Sequence, residues 1–164
     1  MIGIYPGSFD PVTNGHMDII ERSSRMVDKL VVAVLCNRAK TPTFSYQDRV
    51  RILQQCTAHL ENVEVETFDG LTVDFARKKG AHMIIRGLRA ISDFENEFAM
   101  ASMNKQLADD IETMFLMTNT QWSYLSSSMV REIAAYDGDI TPFVPVALAP
   151  QIKKALRASL QEEK

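Results

Sequence analysis

Short apolar runs that alternate with helical patterns are the feature that most constrains the fold of this sequence. The clearest run is KLVVAVLCN at residues 29–37, which is rich in β-branched side chains and shows no polar alternation. Such a run is typical of a strand that is covered on both faces, as the strands of parallel sheets are. Five apolar runs separated by helical patterns predict an α/β fold with a five-stranded parallel sheet and right-handed crossovers.

The predicted elements follow from these runs and from capping signals. Strands are predicted at residues 2–5, 29–37, 62–68, 81–87 and 111–118. Helices are predicted at residues 15–26, 45–60, 71–80, 92–110, 126–138 and 149–163. Thr13 or Asn14 is expected to cap the first helix, and Gly80 and Gly138 are expected to end two others.

Composition limits the class of protein. The 164 residues predict one domain over 1–164, and 46% hydrophobic residues suffice for one core. A net charge of −3 weighs against nucleic acid as a partner. No apolar run approaches the roughly 20 residues that span a bilayer, and no signal peptide is visible, so a soluble cytoplasmic protein is expected. Cys36 and Cys56 form no CxxC pair and are expected to be buried, reduced thiols.

Clusters of polar residues follow each of the five predicted strands. They occupy residues 6–16, 37–41, 70–72, 86–89 and 118–128. In a parallel sheet, ligands bind beyond the carboxyl ends of the strands, near the point where the strand order reverses. The sequence therefore predicts one site built from these clusters.

The segment GSFDPVTNGH, between the first strand and the first helix, has the character of an anion-binding turn. Gly7 allows the backbone to approach a ligand closely, and Ser8 offers a hydroxyl. Gly15 and His16 lie in the first helical turn, where free N–H groups and the helix dipole favour an anion. The dipole opposes protonation of His16, so a neutral imidazole donor is expected; the alternative is a histidine that only caps its helix. The segment matches neither the P-loop nor the GxGxxG pattern.

Three motifs carry a resemblance to a known family. GSFDPVTNGH resembles the TxGH/HxGH signature of the nucleotidylyltransferase superfamily, and WSYLSSSMVRE resembles its ISSTxxR-type element. Between them, MIIRGLRAISDFENE is similar to a segment of the bacterial phosphopantetheine adenylyltransferase family. The resemblance implies a Rossmann-like, doubly wound nucleotidylyltransferase fold. It also implies reversible transfer of the adenylyl group from ATP to 4′-phosphopantetheine, giving dephospho-coenzyme A and pyrophosphate.

The resemblance implies three catalytic residues. His16 would contact the α-phosphate and stabilise the transition state, and Lys40 would bind the phosphopantetheine phosphate and shield the repulsion between the two anions. Arg86 would bind the phosphopantetheine side. Judged from residue type alone, Lys40 could equally be a solvated loop lysine and Arg86 a surface arginine.

The resemblance also implies two sets of binding residues. The ATP-binding set is Ser8, Phe9, His16, Gly87, Leu88, Arg89, Glu97, Trp122, Ser123, Tyr124, Leu125, Ser126, Ser127 and Ser128. The substrate-binding set is Ser8, Lys40, Thr72 and Arg86, with Leu71 in the same loop as Thr72. Three consecutive serines at a helix N-terminus suit a triphosphate, although a plain N-cap needs one. Arg131, one turn further on, could reach the same phosphates or lie on the helix surface.

Asp93 and Glu97 lie four residues apart on one helical face. The resemblance places Glu97 near ATP, and Asp93 is expected to orient Arg86 or Arg89 through a salt bridge. Many family members carry an aromatic residue where this chain has Asn96, so the pantetheine pocket is expected to differ in detail.

The expected partners follow from the same resemblance. Mg²⁺ is expected to arrive on the ATP phosphates, with few or no dedicated metal ligands in the protein. Coenzyme A is expected to compete for the site as a feedback inhibitor, and the family is typically a homohexamer. Neither nucleic acid nor a membrane is expected as a partner. The alternatives are another adenylyl- or cytidylyltransferase of the same fold and a non-catalytic nucleotide sensor.

Overall fold

The structure is a computed structural model that describes residues 1–36, 42–89 and 91–162. Within the helices, the side chains of residues 91–93 and 160–162 are not described. Lys40 therefore lies outside the described residues, and so does the side chain of Asp93.

Five strands alternate with the helices along the chain, as predicted. The strands are β1 (Ile2–Gly7), β2 (Lys29–Leu35), β3 (Val63–Phe68), β4 (Met83–Leu88) and β5 (Glu112–Met117). The helices are α1 (Asn14–Ser24), α2 (Tyr46–Thr57), α3 (Thr72–Lys78), α4 (Ile91–Leu107), α5 (Ser127–Ala135) and α6 (Ala149–Glu162). A 3₁₀ turn at Thr120–Trp122 links β5 to α5.

The strands form one parallel sheet in the order β3-β2-β1-β4-β5, which confirms the predicted five-stranded parallel sheet. β1 pairs with β2 on one side and with β4 on the other. β2 and β3 therefore extend the sheet on one side of β1, and β4 and β5 extend it on the other side. The strand order reverses between β1 and β4, and the loops at their carboxyl ends diverge there to leave a crevice.

Both faces of the sheet are covered by apolar side chains. Consecutive strand residues alternate between two buried clusters, with Ile4 and Val31 in one and Tyr5 and Val32 in the other. The second of these clusters also contains Ile152 of α6. This double burial explains why β2 reads as an unbroken apolar run, because neither of its faces meets water.

Some helix ends differ from the prediction. Thr13, one of the two expected candidates, is the N-cap of α1. The helix ends at Ser24, two residues before the predicted end at Met26. α5 ends at Ala135, before Gly138, and the left-handed residue at its end is Asp137 with φ 62°. At the end of α3 the expected glycine, Gly80, does adopt a positive φ of 66°.

Two further expectations concern the cysteines and membranes. Neither cysteine forms a disulfide within the described residues, and both are part-buried, so the expectation of buried thiols was wrong. None of the described helices is long and apolar enough to cross a membrane.

Candidate active site

A cavity of about 410 Å³ opens at the carboxyl ends of β1 and β4, where the strand order reverses. The turn after β1, the end of β4, α4 and the start of α5 all contribute to it. It is lined by Tyr5, Pro6, Gly7, Ser8, Thr13, Gly15, His16, Ile19, Arg86, Gly87, Arg89, Asn96, Glu97, Thr118, Leu125, Ser126, Ser127 and Ser128. The polar clusters that follow three of the predicted strands therefore meet in one place.

The imidazole of His16 is held by the capping box of α1. The backbone N–H of Thr13 donates to Nδ1 of His16 at 3.0 Å, and the Thr13 hydroxyl accepts from the backbone N–H of His16 at 3.3 Å. Because Nδ1 accepts a hydrogen bond, the neutral ring carries its proton on Nε2. The Phe9 ring packs edge-on against the imidazole, with 5.0 Å between the ring centroids. His16 therefore caps its helix with one nitrogen and keeps the other as a donor.

Burial keeps His16 neutral. Burial, followed by the positive charges of Arg89 and Arg86, lowers the pKa of His16 from 6.5 to about 4. At neutral pH, the group at this point of the cavity is therefore an uncharged N–H donor beside two guanidinium groups. The sequence predicted this neutral donor from the helix dipole, whereas the largest cause of the lowered pKa in the structure is desolvation.

Arg86 is fixed by Glu97 and by the main chain. Its Nε and Nη2 atoms each donate to a different carboxylate oxygen of Glu97 at 2.6 Å, and Nη1 donates to the carbonyl of Pro6 at 2.8 Å. Burial would lower the pKa of Arg86, but the hydrogen bonds and charge of Glu97 outweigh this and raise it. The acid that orients Arg86 among the described side chains is thus Glu97, whereas the sequence analysis expected Asp93 to orient Arg86 or Arg89. Protons on Nη1 and Nη2 remain to meet an anion.

Arg89 and Gly87 shape the other wall of the cavity. Nη1 of Arg89 donates to the carbonyl of Leu125 at 2.8 Å, which ties the end of β4 to the start of α5. A Cβ atom at Gly87 would lie 3.0 Å from Cγ1 of Ile19 and 3.6 Å from the Tyr5 hydroxyl. A larger residue at this position would therefore require the Ile19 side chain to move by a few tenths of an ångström.

The three serines have separate roles in the structure. Ser126 caps α5, its side chain accepting from the N–H of Met129 at 3.2 Å, and Ser127 donates to the carbonyl of Pro11 at 2.7 Å. Arg131 donates through Nη2 to the Ser128 hydroxyl at 3.2 Å and through Nη1 to the carbonyl of Asp10. The N-terminus of α5 is thereby attached to the turn after β1, and both elements face the cavity.

Not every predicted site residue lines the cavity. Phe9 and Leu88 are buried behind it, and Thr72 lies at the start of α3. Trp122, Ser123 and Tyr124 lie in the segment that leads to α5 and are also absent from the cavity wall. For these six residues, contact with a ligand stays a prediction.

Sequence reasoning did not select Tyr5 or Ile19, which line the cavity, or Arg49, which is buried beneath the turn, and it included Thr118 only as part of the polar cluster 118–128. Tyr5 and Ile19 lie within apolar patterns that mark a strand and a helix. Arg49 lies on a helix whose pattern gives no sign of a buried charge. Only the position of Thr118, directly after β5, signals a site.

The described residues contain no group of three or more His, Cys, Asp or Glu side chains placed to hold a metal ion. Glu97 is the one carboxylate on the described cavity wall, and both its oxygens accept from Arg86. A divalent cation here would depend on oxygens that the ligand brings with it.

The cavity suits a polyphosphate. Two guanidinium groups, serine hydroxyls, a helix N-terminus and a neutral N–H donor converge on it. Together with its position at the switch point of a parallel sheet, this defines the chain as an α/β nucleotide-binding protein.

Comparison with known proteins specifies the class further. Residues 4–133 match the family described as cytidylyltransferase-like. The phosphopantetheine adenylyltransferase of Alkaliphilus metalliredigens is 52% identical, with 94% of this chain and 99% of that protein covered. That of Lachnoclostridium phytofermentans is 56% identical, with 88% of each chain covered. The chain belongs to the cytidylyltransferase-like family and, within it, groups with the phosphopantetheine adenylyltransferases.

Solved structures support the fold. The nicotinic acid mononucleotide adenylyltransferase of Plasmodium falciparum superposes with a TM-score of 0.67 at 14% identity, covering 96% of this chain and 94% of that chain. At this identity the likeness concerns the fold alone, and it confirms the predicted Rossmann-like nucleotidylyltransferase architecture.

Proposed function

We propose that this protein is an enzyme that transfers the adenylyl group of ATP to 4′-phosphopantetheine, forming dephospho-coenzyme A and pyrophosphate. The structural observation that carries the proposal is the neutral His16 donor set beside Arg86 and Arg89 in one cavity. Relatives that are 52–56% identical over most of the chain support the identity of the acceptor.

The reaction is a single displacement at phosphorus. An oxygen of the 4′-phosphate forms a bond to the α-phosphorus of ATP, and the bond from that phosphorus to the bridging oxygen breaks. Pyrophosphate leaves with the electron pair. The nucleophile is already ionised, so the protein needs no general base, and its contribution is positioning and charge stabilisation.

Several of the site residues have a proposed role in this step. The Nε2–H of His16 donates to the α-phosphate, where negative charge develops in the transition state. Arg86 binds the phosphopantetheine phosphate through the Nη1 and Nη2 protons that it does not donate within the protein. Arg89 and the serines at the start of α5 bind the nucleotide, while Ser8 contacts both phosphates. Lys40 is proposed to shield the repulsion between the two anions.

Several further properties belong to the proposal. ATP brings Mg²⁺ on its phosphates, and the enzyme works in the cytoplasm, where ATP is formed and used. Coenzyme A, which shares its adenylate and pantetheine parts with the product, competes for the cavity as a feedback inhibitor. One domain over residues 1–164 is also part of the proposal, and the packing of Ile152 and Leu156 of α6 in the same apolar cluster as sheet residues supports it.

We also propose a homohexamer that uses the exposed apolar side chains along α4. Phe98, Met103 and Leu107 are 56%, 60% and 54% exposed, and Phe94 stacks on Phe98 at 5.7 Å. Light scattering should give six times the chain mass of 18.5 kDa. Met103→Glu should lower this value, whereas Tyr136→Glu, at another exposed aromatic side chain, should leave it unchanged. An unchanged mass for Met103→Glu would exclude the Met103 side of α4 as the contact.

The function is tested by pyrophosphate release with ATP, Mg²⁺ and one acceptor at a time. The acceptors are 4′-phosphopantetheine, nicotinamide mononucleotide and glycerol 3-phosphate, with each product identified by mass. The proposal is supported if dephospho-coenzyme A is the only adenylylated product. Turnover with another acceptor would keep the role of His16 but overturn the substrate. ATP binding without turnover on any acceptor would favour a nucleotide sensor.

A further inference from the structure

Arg49 of α2 is buried beneath the turn that follows β1, and its side chain has no place in the mechanism above. It is 3% exposed, and its Nη2 atom is buried without a hydrogen-bond partner in the described part of the chain. Burying a guanidinium that is only partly satisfied disfavours folding. Placement of this residue therefore needs a reason beyond packing.

The other nitrogens of Arg49 hold two main-chain carbonyls. Nη1 donates to the carbonyl of Ser8 at 2.9 Å, and Nε donates to the carbonyl of Phe44 at 3.0 Å. The ring of Tyr46 lies 4.6 Å from the guanidinium carbon and fixes its plane. One planar side chain thereby joins the turn after β1 to the start of α2.

The bond to Ser8 sets the orientation of the next peptide group. A trans peptide is planar, so the carbonyl of Ser8 and the N–H of Phe9 point in opposite directions. Because Arg49 holds the carbonyl toward α2, the N–H of Phe9 points away from α2. Phe9 has φ 49°, which residues other than glycine rarely adopt. Such a conformation persists only where surrounding contacts impose it.

Ser8 lies where the two anions of the proposed reaction meet. It lines the active-site cavity and also a second cavity of about 330 Å³ whose wall includes Asp10, Arg49 and Arg131. Rotation of the Ser8–Phe9 peptide would turn a carbonyl oxygen toward the phosphates, where it would repel them and displace the Ser8 hydroxyl.

We infer that Arg49 is a positioning residue for the adenylyl transfer, which it serves by locking the Ser8–Phe9 peptide with its carbonyl turned away from the phosphates. This inference rests on the proposed function. Lysine keeps the charge but lacks the planar fork that holds two carbonyls at once, so it should not replace arginine here.

The test compares Arg49→Lys and Arg49→Met with the same substitutions at Arg51, two residues along the same helix. The Arg51 side chain is 54% exposed and pairs only with Asp48 in the described structure. Forward kinetics with ATP and 4′-phosphopantetheine are measured at 15 °C, and circular dichroism gives the folded fraction. We expect both Arg49 variants to lose about 10-fold or more in kcat per folded molecule, with a smaller change in KM. The Arg51 variants should keep the wild-type kcat.

A double-mutant cycle with Ser8→Ala separates positioning from general stability. If Arg49 acts through the turn, Arg49→Lys combined with Ser8→Ala should lose no more kcat than the more damaging single change. Fully additive losses would overturn the inference, as would a wild-type kcat in folded Arg49→Lys. Failure of both Arg49 variants to fold at 15 °C would also overturn it, because Arg49 would then serve the fold. Absence of turnover in the wild-type protein would instead count against the proposed function.

Discussion

At the scale of single residues, the protonation state of His16 is the property with the sharpest consequence. Burial and two nearby arginines lower its pKa to about 4, and the bond from Thr13 places the proton on Nε2. Nitrogen-15 NMR of the histidine rings should therefore show the neutral Nε2–H form of His16 from pH 8 down to about pH 5. The signal is assigned by its loss in His16→Gln. A titration midpoint near 6.5 would contradict the burial of this ring.

Substitution of His16 separates its catalytic role from its capping role. His16→Ala removes both the Nε2 donor and the Nδ1 acceptor, so we expect kcat to fall about 10²–10³-fold and the free energy of unfolding to fall by about 1 kcal/mol. Glutamine at this third helical position can still accept from the Thr13 N–H. His16→Gln should therefore keep most of the stability and still lose turnover.

The matched control is His82→Ala, because this histidine is exposed and lies outside the cavity. It should retain the wild-type kcat. Turnover near wild type in both His16 variants would remove this side chain from the chemistry and leave it the role of a helix cap.

Residue motifs predicted the centre of the site but not the residues that support it. His16, Arg86 and the serines were predictable, because their types and positions suit phosphate binding. The partner of Arg86 was not, since Asp93 and Glu97 lie on the same helical face and spacing cannot choose between them. Arg49 was hidden because it acts on backbone carbonyls, one of them 41 positions away in sequence.

At the scale of elements, two glycines near helix ends are required for different reasons. Gly80 has φ 66° and nothing within 4 Å of the position that a Cβ would take, so only its backbone conformation excludes other residues. A Cβ at Gly138 would lie 2.6 Å from Cγ2 of Ile133 and 3.0 Å from the carbonyl oxygen of Ile133. Space is therefore the limit at Gly138.

These reasons predict different costs in urea unfolding. Gly80→Ala should lower the free energy of unfolding by about 1 kcal/mol through backbone strain alone. Gly138→Ala should lower it by about 1–3 kcal/mol through overpacking, and this cost should be smaller when it is measured in an Ile133→Ala background. Equal costs that do not respond to Ile133→Ala would show that backbone conformation matters at both glycines.

Strands were easier to predict than helix ends. A continuous run of β-branched residues favours a strand that is buried on both faces, so β2 could be predicted from the sequence. Near the end of α5, Asp137 adopts the left-handed conformation that a glycine stop was expected to supply. Asp137 is paired there with Lys153 at 3.4 Å and with Arg157, both on α6, a tertiary contact that local sequence does not reveal.

At the scale of the whole molecule, the strand order could not be derived from the local pattern. Periodicity predicts five parallel strands, but the order β3-β2-β1-β4-β5 depends on which faces pack together. The position of the site was nevertheless predictable in part, because any such sheet gathers the loops at its carboxyl edge. Only the order shows that β1 and β4 flank the crevice.

The neutral His16, which is part-buried on the cavity wall, also makes the stability of the whole molecule depend on pH. Below pH 6.5 the unfolded chain binds a proton at His16 that the folded chain refuses until about pH 4. The unfolded state then binds more protons, so the free energy of unfolding should fall as the pH drops from 6.5 to 4. His16 alone should account for at most about 3 kcal/mol of this loss.

His16→Gln isolates this contribution, because other groups, among them Asp48, whose pKa is lowered by its hydrogen bond with Arg51, also respond to acid. At pH 7.5 His16 is neutral in both the folded and the unfolded states, so the difference in unfolding free energy between variant and wild type reflects packing and capping only. As the pH falls toward 4, that difference should shift in favour of His16→Gln. Urea unfolding at pH 7.5, 6, 5 and 4.5, at constant protein concentration, measures it. A difference that stays constant over this range would mean that His16 has the same pKa in the folded and unfolded chains. That result would contradict a neutral His16 donor in the cavity at acidic pH.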